Sequence, residues 1–199
     1  MLWVTCVLMI VGQTQPKTVE AAYAGNYLMG KTDSPVRIEL FSDFQCPSCR
    51  NFYLNTITNL MKEYSAGDKV AVIFRDFPLP GHPVARPATR YAVAAKSLGR
   101  EPWIKVVEYL YTCQAEWSYD GKIDRVLSRI LTAEEMETLR RKLSDPAIEQ
   151  EIDRDVALGQ DRKVQSTPTV FVTVGGKEQR FVGGLSFPIM KDFIDRSLR

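Results

Sequence analysis

Two of the four cysteines in this 199-residue chain stand three positions apart, in the segment Cys46-Pro47-Ser48-Cys49. Residues three apart on a helix have Cβ atoms about 5 to 6 Å apart, and a disulfide requires a Cβ separation of about 3.5 to 4.5 Å. The pair can therefore form and break a disulfide with little movement of the backbone. This spacing predicts reversible thiol chemistry.

The two thiols should differ in reactivity because they occupy different places on the predicted helix. Pro47 suits the first helical turn, where its missing N–H group would have had no partner. Cys46 is therefore expected at the helix N-terminus, where unpaired N–H groups and the helix dipole stabilise a thiolate. We predict that Cys46 is the attacking sulfur and that Cys49, one turn further along, is the shielded resolving thiol.

Two other interpretations of the cysteine pair remain open. One is a permanent disulfide, although so short a loop restricts the unfolded chain little and therefore stabilises little. The other is half of a zinc site, which would need two further ligands. The chain offers only Cys6, Cys113 and His82, which lack ligand spacing. We therefore expect no metal and no cofactor beside the cysteine pair.

The composition is that of a globular protein with no bias toward nucleic acid. The chain is 45% hydrophobic with a formal net charge of +2, and its length suffices for one well-buried domain. Runs of like charge are short and lie beside opposite charges, as in residues 134–142, which is typical of a solvated helix face.

The N-terminal segment carries an uncharged apolar run over residues 2–11. This run has the length of a signal-peptide core and is too short to span a membrane. Residues 1–24 are therefore predicted to be a signal peptide or, if uncleaved, an N-terminal membrane anchor through residues 2–11; a buried strand is the alternative. An exported chain with such a cysteine pair fits an oxidising compartment, so we expect a periplasmic or other extracytoplasmic location.

The elements around the cysteines follow from hydrophobic periodicity. Residues 36–41 alternate as a strand, the cysteine helix runs to about Gly67, and residues 69–75 form an apolar strand covered on both faces. Strand, helix and strand of these lengths form a βαβ unit with parallel strands. Only helical patterns follow, from about residue 83 to about residue 163.

Strand patterns return late in the chain. Residues 169–174 predict a strand, Gly175-Gly176 permits a tight hairpin turn, and residues 179–182 pair back. An amphipathic helix ends the chain. The predicted order is therefore βαβ, a helical block, then ββα.

This order resembles the thioredoxin superfamily, and most closely its DsbA-like branch. The residues that carry the resemblance are Glu39–Cys49, Arg75–Pro83 and Ser166–Val172. The resemblance covers about residues 33–199. It implies an α/β, thioredoxin-like fold over residues 25–199, with an all-helical subdomain inserted at about 83–163.

The resemblance also implies a cis peptide bond between Thr167 and Pro168, beside the cysteine pair. The backbone of Thr167 would then lie edge-on to Cys46, where an extended substrate pairs with it by strand addition. A trans proline that starts an edge strand is the alternative.

A carboxylate that accepts the proton of the resolving thiol is a further implication of the resemblance. Glu39 matches this carboxylate by its place in the motif, although Gln45 is an extra residue in the loop. Asp43 is the rival candidate. Alternatively, Glu39 pairs with Arg37 on the same strand face.

Ser48 bears on the redox potential of the pair, and His82 and Cys113 have two interpretations each. Ser48 stands where strong oxidants of this branch carry histidine, and a hydroxyl stabilises a thiolate less than a cation does. We therefore expect a disulfide of intermediate potential. His82 either caps the helix that follows it or reaches the active-site surface. Cys113 is a buried thiol or a third redox cysteine.

The resemblance implies an enzyme, a protein thiol-disulfide oxidoreductase that forms disulfide bonds in secreted or periplasmic proteins with the Cys46-Cys49 pair. Its substrates would be unfolded or reduced exported proteins, and a membrane partner such as a quinone-linked oxidase would reoxidise it. The same residues suit a disulfide reductase or isomerase that receives electrons from a membrane reductant. A non-catalytic chaperone with a thioredoxin fold is the alternative of a different class.

Overall fold

A five-stranded sheet forms the centre of the computed structural model, which describes residues 26–199. The predictions for residues 1–24 lie outside the described residues. The strands are β1 (Tyr27–Met29), β2 (Val36–Ser42), β3 (Val70–Asp76), β4 (Thr169–Val174) and β5 (Lys177–Val182). They lie in the order β1-β3-β2-β4-β5.

The strand pairing agrees with the predicted βαβ and hairpin units. β2 and β3 are parallel, and every other neighbouring pair in the sheet is antiparallel. β1 was not predicted, because three residues are too few to show a strand periodicity. β5 begins at Lys177, two residues before the predicted start, since Lys177 already pairs with Val174.

One continuous helical stretch follows β2 and carries the cysteine pair. It consists of α1 (Pro47–Phe52), a π-helical segment (Tyr53–Ile57) and α2 (Thr58–Glu63). The stretch ends four residues before Gly67, and the π-helical segment was not predicted. Such segments are frequent at functional sites.

The chain between β3 and β4 contains helices and turns only, as predicted. The helices are α3 (Ala85–Ala95), a 3₁₀ turn (Lys96–Leu98), α4 (Arg100–Thr112), α5 (Gln114–Trp117), α6 (Ile123–Leu127), α7 (Ala133–Lys142) and α8 (Pro146–Asp161). A last helix, α9 (Phe187–Ser197), follows the hairpin. Across residues 26–199, no helix combines the length and the apolar character that crossing a membrane requires.

Apolar side chains fill both faces of the sheet. Leu40 of β2 belongs to a large cluster that also contains Cys49 of α1 and Tyr111 of α4. Phe41 belongs to a second, smaller cluster with Phe171 of β4. Successive strand residues point to opposite faces, so the cysteine helix and the second cluster lie on opposite sides of β2.

Candidate active site

The cysteine pair begins a helix just beyond the central strand. Cys46 occupies the N-cap position of α1 with extended backbone angles, φ −73° and ψ 121°, and Pro47 is the first helical residue. The Cys46 N–H group donates to the carbonyl oxygen of Asp43 at 3.2 Å. The predicted helix start at Pro47 is therefore confirmed.

The two thiols are free and differ in access to solvent. Cys46 is 7% exposed and Cys49 is fully buried. The Cys46 sulfur lies 3.4 Å from the carbonyl oxygen of Thr167, to which it can donate only when it is protonated, and the Thr167–Pro168 peptide bond is cis. The structure thus brings together the cysteine pair and the Thr-Pro dipeptide, which are far apart in the sequence.

The Cys46 sulfur is stabilised as a thiolate. A hydrogen bond from the Cys49 thiol lowers the pKa of Cys46 to about 5, against the opposing effect of burial. The backbone N–H groups of Cys49 and Ser48 lower this pKa further. Cys46 is therefore ionised at neutral pH, which is the state required for nucleophilic attack.

The environment of Cys49 raises the pKa of its thiol. Burial raises the pKa of Cys49 far above the usual range, and the hydrogen bond to Cys46 and the negative charge on that sulfur raise it further. The backbone N–H group of Asp43 donates to the Cys49 sulfur at 3.5 Å. This difference in pKa supports the predicted roles of attacking and resolving thiol, and it favours a reactive pair over a permanent disulfide.

The helical block contributes a side chain that holds the active-site loop. The Gln114 amide donates to the carbonyl oxygens of Phe44 and Cys46, at 2.7 and 3.0 Å. Gln114 is buried at the start of α5. The sequence does not single out Gln114, whose only signal is a polar amide between Cys113 and Ala115.

Gln45 makes two further hydrogen bonds between the same loop and the helical block. Its side-chain N–H group donates to the carbonyl oxygen of Ser118 at 3.1 Å, and its side-chain oxygen accepts from the N–H group of Val84 at 2.9 Å. Gln45 is the extra residue relative to the DsbA-like pattern. It therefore connects the active-site loop to the residue that precedes α3 and to the residue that follows α5.

Asp43 is fully buried and organises the loop through its carboxylate. One oxygen accepts from the N–H group of Gln45 at 2.7 Å. The other lies 2.7 Å from the N–H group of Leu79 and 2.8 Å from Nδ1 of His82. His82 thus contacts the active-site loop, whereas the N-cap of α3 is Val84, which has no side-chain cap.

Glu39 does not lie behind the cysteine pair, which corrects the prediction. One carboxylate oxygen accepts from Arg75 Nε at 2.6 Å, and the other pairs with Arg162. The alternative pairing with Arg37 is also wrong, because the Arg37 guanidinium donates to a backbone carbonyl at residue 32.

The direction of Glu39 follows from its place in β2. Glu39 and Phe41 are two positions apart and share one face of the strand, and Phe41 belongs to the second cluster. Cys49 belongs to the large cluster on the other face. Asp155 of α8 extends the ion-pair network on the Glu39 side by accepting from Arg75 at 2.9 Å.

The remaining predicted residues have simple environments. Ser48 is exposed on the first turn of α1. Cys113 is a buried free thiol at the end of α4, and a buried thiol was one of its two predicted states. Within residues 26–199, no group of three or more His, Cys, Asp or Glu side chains is placed to hold a metal ion.

A mixed sheet, a helix that starts at a reactive cysteine pair and an adjacent cis proline define the class of thioredoxin-fold thiol oxidoreductases. A family model described as thioredoxin matches residues 23–195, and the chain belongs to this family.

Curated relatives and solved structures agree with this assignment. The probable disulfide bond formation protein D of Bacillus cereus is 28% identical over 186 residues, which covers 89% of this chain and 81% of the relative. Disulfide bond formation protein D of Bacillus subtilis is 26% identical over 155 residues, covering 74% and 68% of the two chains.

Among solved structures, the thiol-disulfide exchange protein alpha-DsbA2 of Wolbachia pipientis matches with a TM-score of 0.71 and 25% identity, covering 86% of each chain. BdbD of Bacillus subtilis shares the fold with a TM-score of 0.70 and 23% identity, covering 87% of this chain and 93% of that one. The predicted fold and the predicted class, a thiol-disulfide oxidoreductase of the DsbA-like kind, are confirmed.

Proposed function

We propose that this oxidoreductase forms disulfide bonds in exported proteins by donating its Cys46-Cys49 disulfide. The observation that carries the proposal is the low pKa of Cys46, about 5. A stabilised thiolate favours the reduced state of the pair, so the disulfide state is a good acceptor of electrons. This property suits a donor of disulfides better than a reductase.

The exchange reaction uses the two cysteines in turn. A substrate thiolate attacks the Cys46 sulfur, the Cys46-Cys49 bond breaks, and its electron pair stays on Cys49. A second substrate thiolate then attacks the substrate sulfur of the mixed disulfide, and Cys46 leaves as a thiolate. The two substrate thiols release two protons, of which one ends on Cys49 and the other passes to solvent. No cofactor beyond the cysteine pair takes part in these steps.

The surroundings of the pair support an extended polypeptide as the substrate. A groove of about 560 Å³ opens beside Ser48, and one wall includes Gly183 and Gly184. Val182, at the end of β5, is 60% exposed next to this groove. The Gly183 N–H group donates to the carbonyl oxygen of Pro168 at 2.8 Å, so the groove adjoins the Thr-Pro dipeptide. We therefore propose unfolded or reduced exported proteins as substrates.

The cellular setting is part of the same proposal. The curated relatives are named as disulfide bond formation proteins, and disulfides persist in oxidising compartments. We propose a periplasmic or other extracytoplasmic location, with residues 1–24 as signal peptide or anchor. A membrane redox partner, such as a quinone-linked oxidase, would restore the disulfide.

The test is to trap the mixed disulfide in cells. Cys49→Ala keeps the Cys46 thiolate, which can still form a mixed disulfide by attacking a disulfide of an exported protein. The variant lacks the thiol that would release that protein in the reverse of the first step, so Cys46 should remain covalently bound to exported proteins. The complexes should appear on non-reducing gels and disappear on reduction, and the double variant that also carries Cys46→Ala is the matched control. Absence of such complexes would contradict the proposal.

The direction of electron flow needs a second measurement. Equilibration of the purified protein with glutathione should give a disulfide more oxidising than that of thioredoxin, about −270 mV. A value at or below that of thioredoxin would assign the protein to disulfide reduction. If Cys46→Ala still prevents aggregation of unfolded chains and the wild type oxidises nothing, the protein is a chaperone.

A further inference from the structure

The backbone of Asp43 contacts both members of the cysteine pair. Its N–H group donates to the Cys49 sulfur at 3.5 Å, and its carbonyl oxygen accepts from the Cys46 N–H group at 3.2 Å. Asp43 is fully buried. A change in the orientation of this backbone would therefore move a hydrogen-bond donor relative to the resolving sulfur.

The carboxylate of Asp43 is held at three points. The Gln45 N–H group donates to one oxygen at 2.7 Å. The other oxygen accepts from the Leu79 N–H group at 2.7 Å and lies 2.8 Å from Nδ1 of His82. A carboxylate accepts hydrogen bonds, so we assign the proton of this last pair to Nδ1. Burial of a carboxylate is costly unless donors satisfy it, and these three donors do so.

Two of the three donors belong to one short turn that follows β3. The His82 N–H group donates to the carbonyl oxygen of Leu79 at 3.0 Å. Prolines occupy three of the positions in residues 78–83, and each proline restricts its own φ angle. The turn can therefore hold the Asp43 carboxylate in one place. The N–H group of Asp43 is fixed with it, because the side chain and the N–H group are joined through one Cα atom.

We propose that the carboxylate of Asp43 aims the Asp43 N–H group at the Cys49 sulfur, and that His82 is a positioning residue that anchors this carboxylate. The inference rests on the exchange reaction of the proposed function. As a substrate thiolate bonds to the Cys46 sulfur, the disulfide breaks and its electron pair moves onto Cys49. The Asp43 N–H group then donates to a negatively charged sulfur, and no proton moves at the carboxylate.

The buried Cys49 sulfur needs such a donor during the reaction. Burial disfavours its charged form, and hydrogen bonds to charged groups are stronger than those between neutral groups. The bond from Asp43 is therefore strongest while charge develops on Cys49. A better stabilised leaving thiolate leaves faster. The same donor assists the reverse step, in which the Cys49 thiolate attacks a mixed disulfide at Cys46.

The decisive comparison is between His82→Ala and His82→Asn. The side-chain nitrogen of asparagine is attached to Cγ, as Nδ1 of histidine is, so His82→Asn keeps an N–H donor that His82→Ala removes. The two variants carry the same charge at position 82. His82 is partly exposed, so both variants should fold.

The first measurement is the rate at which reduced glutathione reduces the oxidised protein. His82→Ala should react about threefold more slowly than His82→Asn, because the carboxylate loses one of its three donors. The equilibrium constant with glutathione should be the same in both variants, since Cys49 is uncharged in the oxidised and in the reduced protein. The second measurement is alkylation of Cys46 in the reduced protein. It places no charge on Cys49 and should proceed equally fast in both variants.

Asp43→Asn tests the carboxylate itself. An amide has one acceptor oxygen, whereas the two carboxylate oxygens accept from different backbone N–H groups, so the reduction should slow about tenfold relative to the wild type. Asp155→Asn is the matched control. Asp155 is also a buried aspartate that accepts from a backbone N–H group, that of Asp76 at 3.0 Å. The folded control should be reduced at the wild-type rate.

Equal reduction rates for His82→Ala and His82→Asn would overturn the inference. So would alkylation of Cys46 that slows in His82→Ala by the same factor, since the whole loop would then be distorted. The two His82 variants decide the matter alone if Asp43→Asn or Asp155→Asn does not fold, as monitored by circular dichroism. The proposed function fails separately, because the glutathione rates do not depend on whether Cys49→Ala traps exported proteins.

Discussion

The side-chain amide of Gln114 donates to the carbonyl oxygen of Cys46 at 3.0 Å, across 68 positions of sequence. The same amide donates to Phe44, so one buried side chain fixes the loop that presents the nucleophile. Gln114→Leu should lower the free energy of unfolding by about 1 to 3 kcal/mol, because two buried carbonyl oxygens lose a donor.

The Gln114 variant is assessed by urea unfolding of the reduced protein. Gln160→Leu is the matched control, since Gln160 is an exposed glutamine of α8 and its replacement should change the unfolding free energy by less than about 0.5 kcal/mol. Equal effects of the two substitutions would show that the Gln114 hydrogen bonds make no net contribution to the free energy of unfolding.

Glu39 should matter for stability and not for thiol chemistry. Removing one partner of a buried ion pair costs about 3 to 5 kcal/mol, so Glu39→Ala should destabilise the protein strongly through Arg75 and Arg162. Glu39→Gln keeps hydrogen-bond acceptors and should cost less. The rate of reduction by glutathione, measured where Glu39→Gln is folded, should equal that of the wild type. A large fall in that rate would restore Glu39 as the proton acceptor.

The stability of the reduced protein should depend on pH through Cys46. Its pKa falls from 9.0 to about 5 on folding, so the folded state favours the thiolate. This stabilisation is fully present above 9.0, the pKa of Cys46 in the unfolded chain, and is lost as the pH falls through about 5. Between these limits the unfolding free energy should decrease by about 1.4 kcal/mol for each unit of pH lowered.

The pH dependence is measured by denaturant unfolding of the reduced protein, with Cys46→Ala as the control. The variant lacks the ionising group and should lose this slope, because burial keeps Cys49 protonated over this pH range in both proteins. Parallel curves for the two proteins would mean that Cys46 titrates alike in the folded and unfolded states.

A histidine at position 48 should make the disulfide more oxidising. Ser48 is exposed on the first turn of α1, and its N–H group already lowers the pKa of Cys46. A protonated histidine there adds positive charge beside the thiolate, so Ser48→His should lower this pKa further and raise the potential by about 30 mV for each 1.4 kcal/mol.

Thiolate absorbance against pH reports the pKa, and glutathione equilibration reports the potential. Ser48→Gln is the control for size without charge and should leave both values near those of the wild type. An unchanged or higher Cys46 pKa in Ser48→His would mean that Cys49 and the backbone N–H groups alone set the redox properties of the site.

The sequence predicted the elements that local periodicity encodes. Pro47 marked the helix start, and the alternation in β2 marked the strand before it. The face on which Glu39 lies was not predictable, because β2 is buried on both faces and alternation alone does not tell which face meets the cysteine helix. Gln114 was missed because its acceptors are backbone carbonyls, which any residue supplies.

The helical block between β3 and β4 holds the active-site loop, so the cysteine motif alone should not reproduce this site in another protein. Gln114 and Ser118 bind the loop, and the carbonyl oxygen of Tyr111 accepts from Arg50 Nε at 3.0 Å. A smaller thioredoxin into which Cys46-Pro47-Ser48-Cys49 were grafted would possess these four residues without the partners in the helical block. Engineering of the redox potential in this scaffold therefore has to treat the loop and the block as one unit of design.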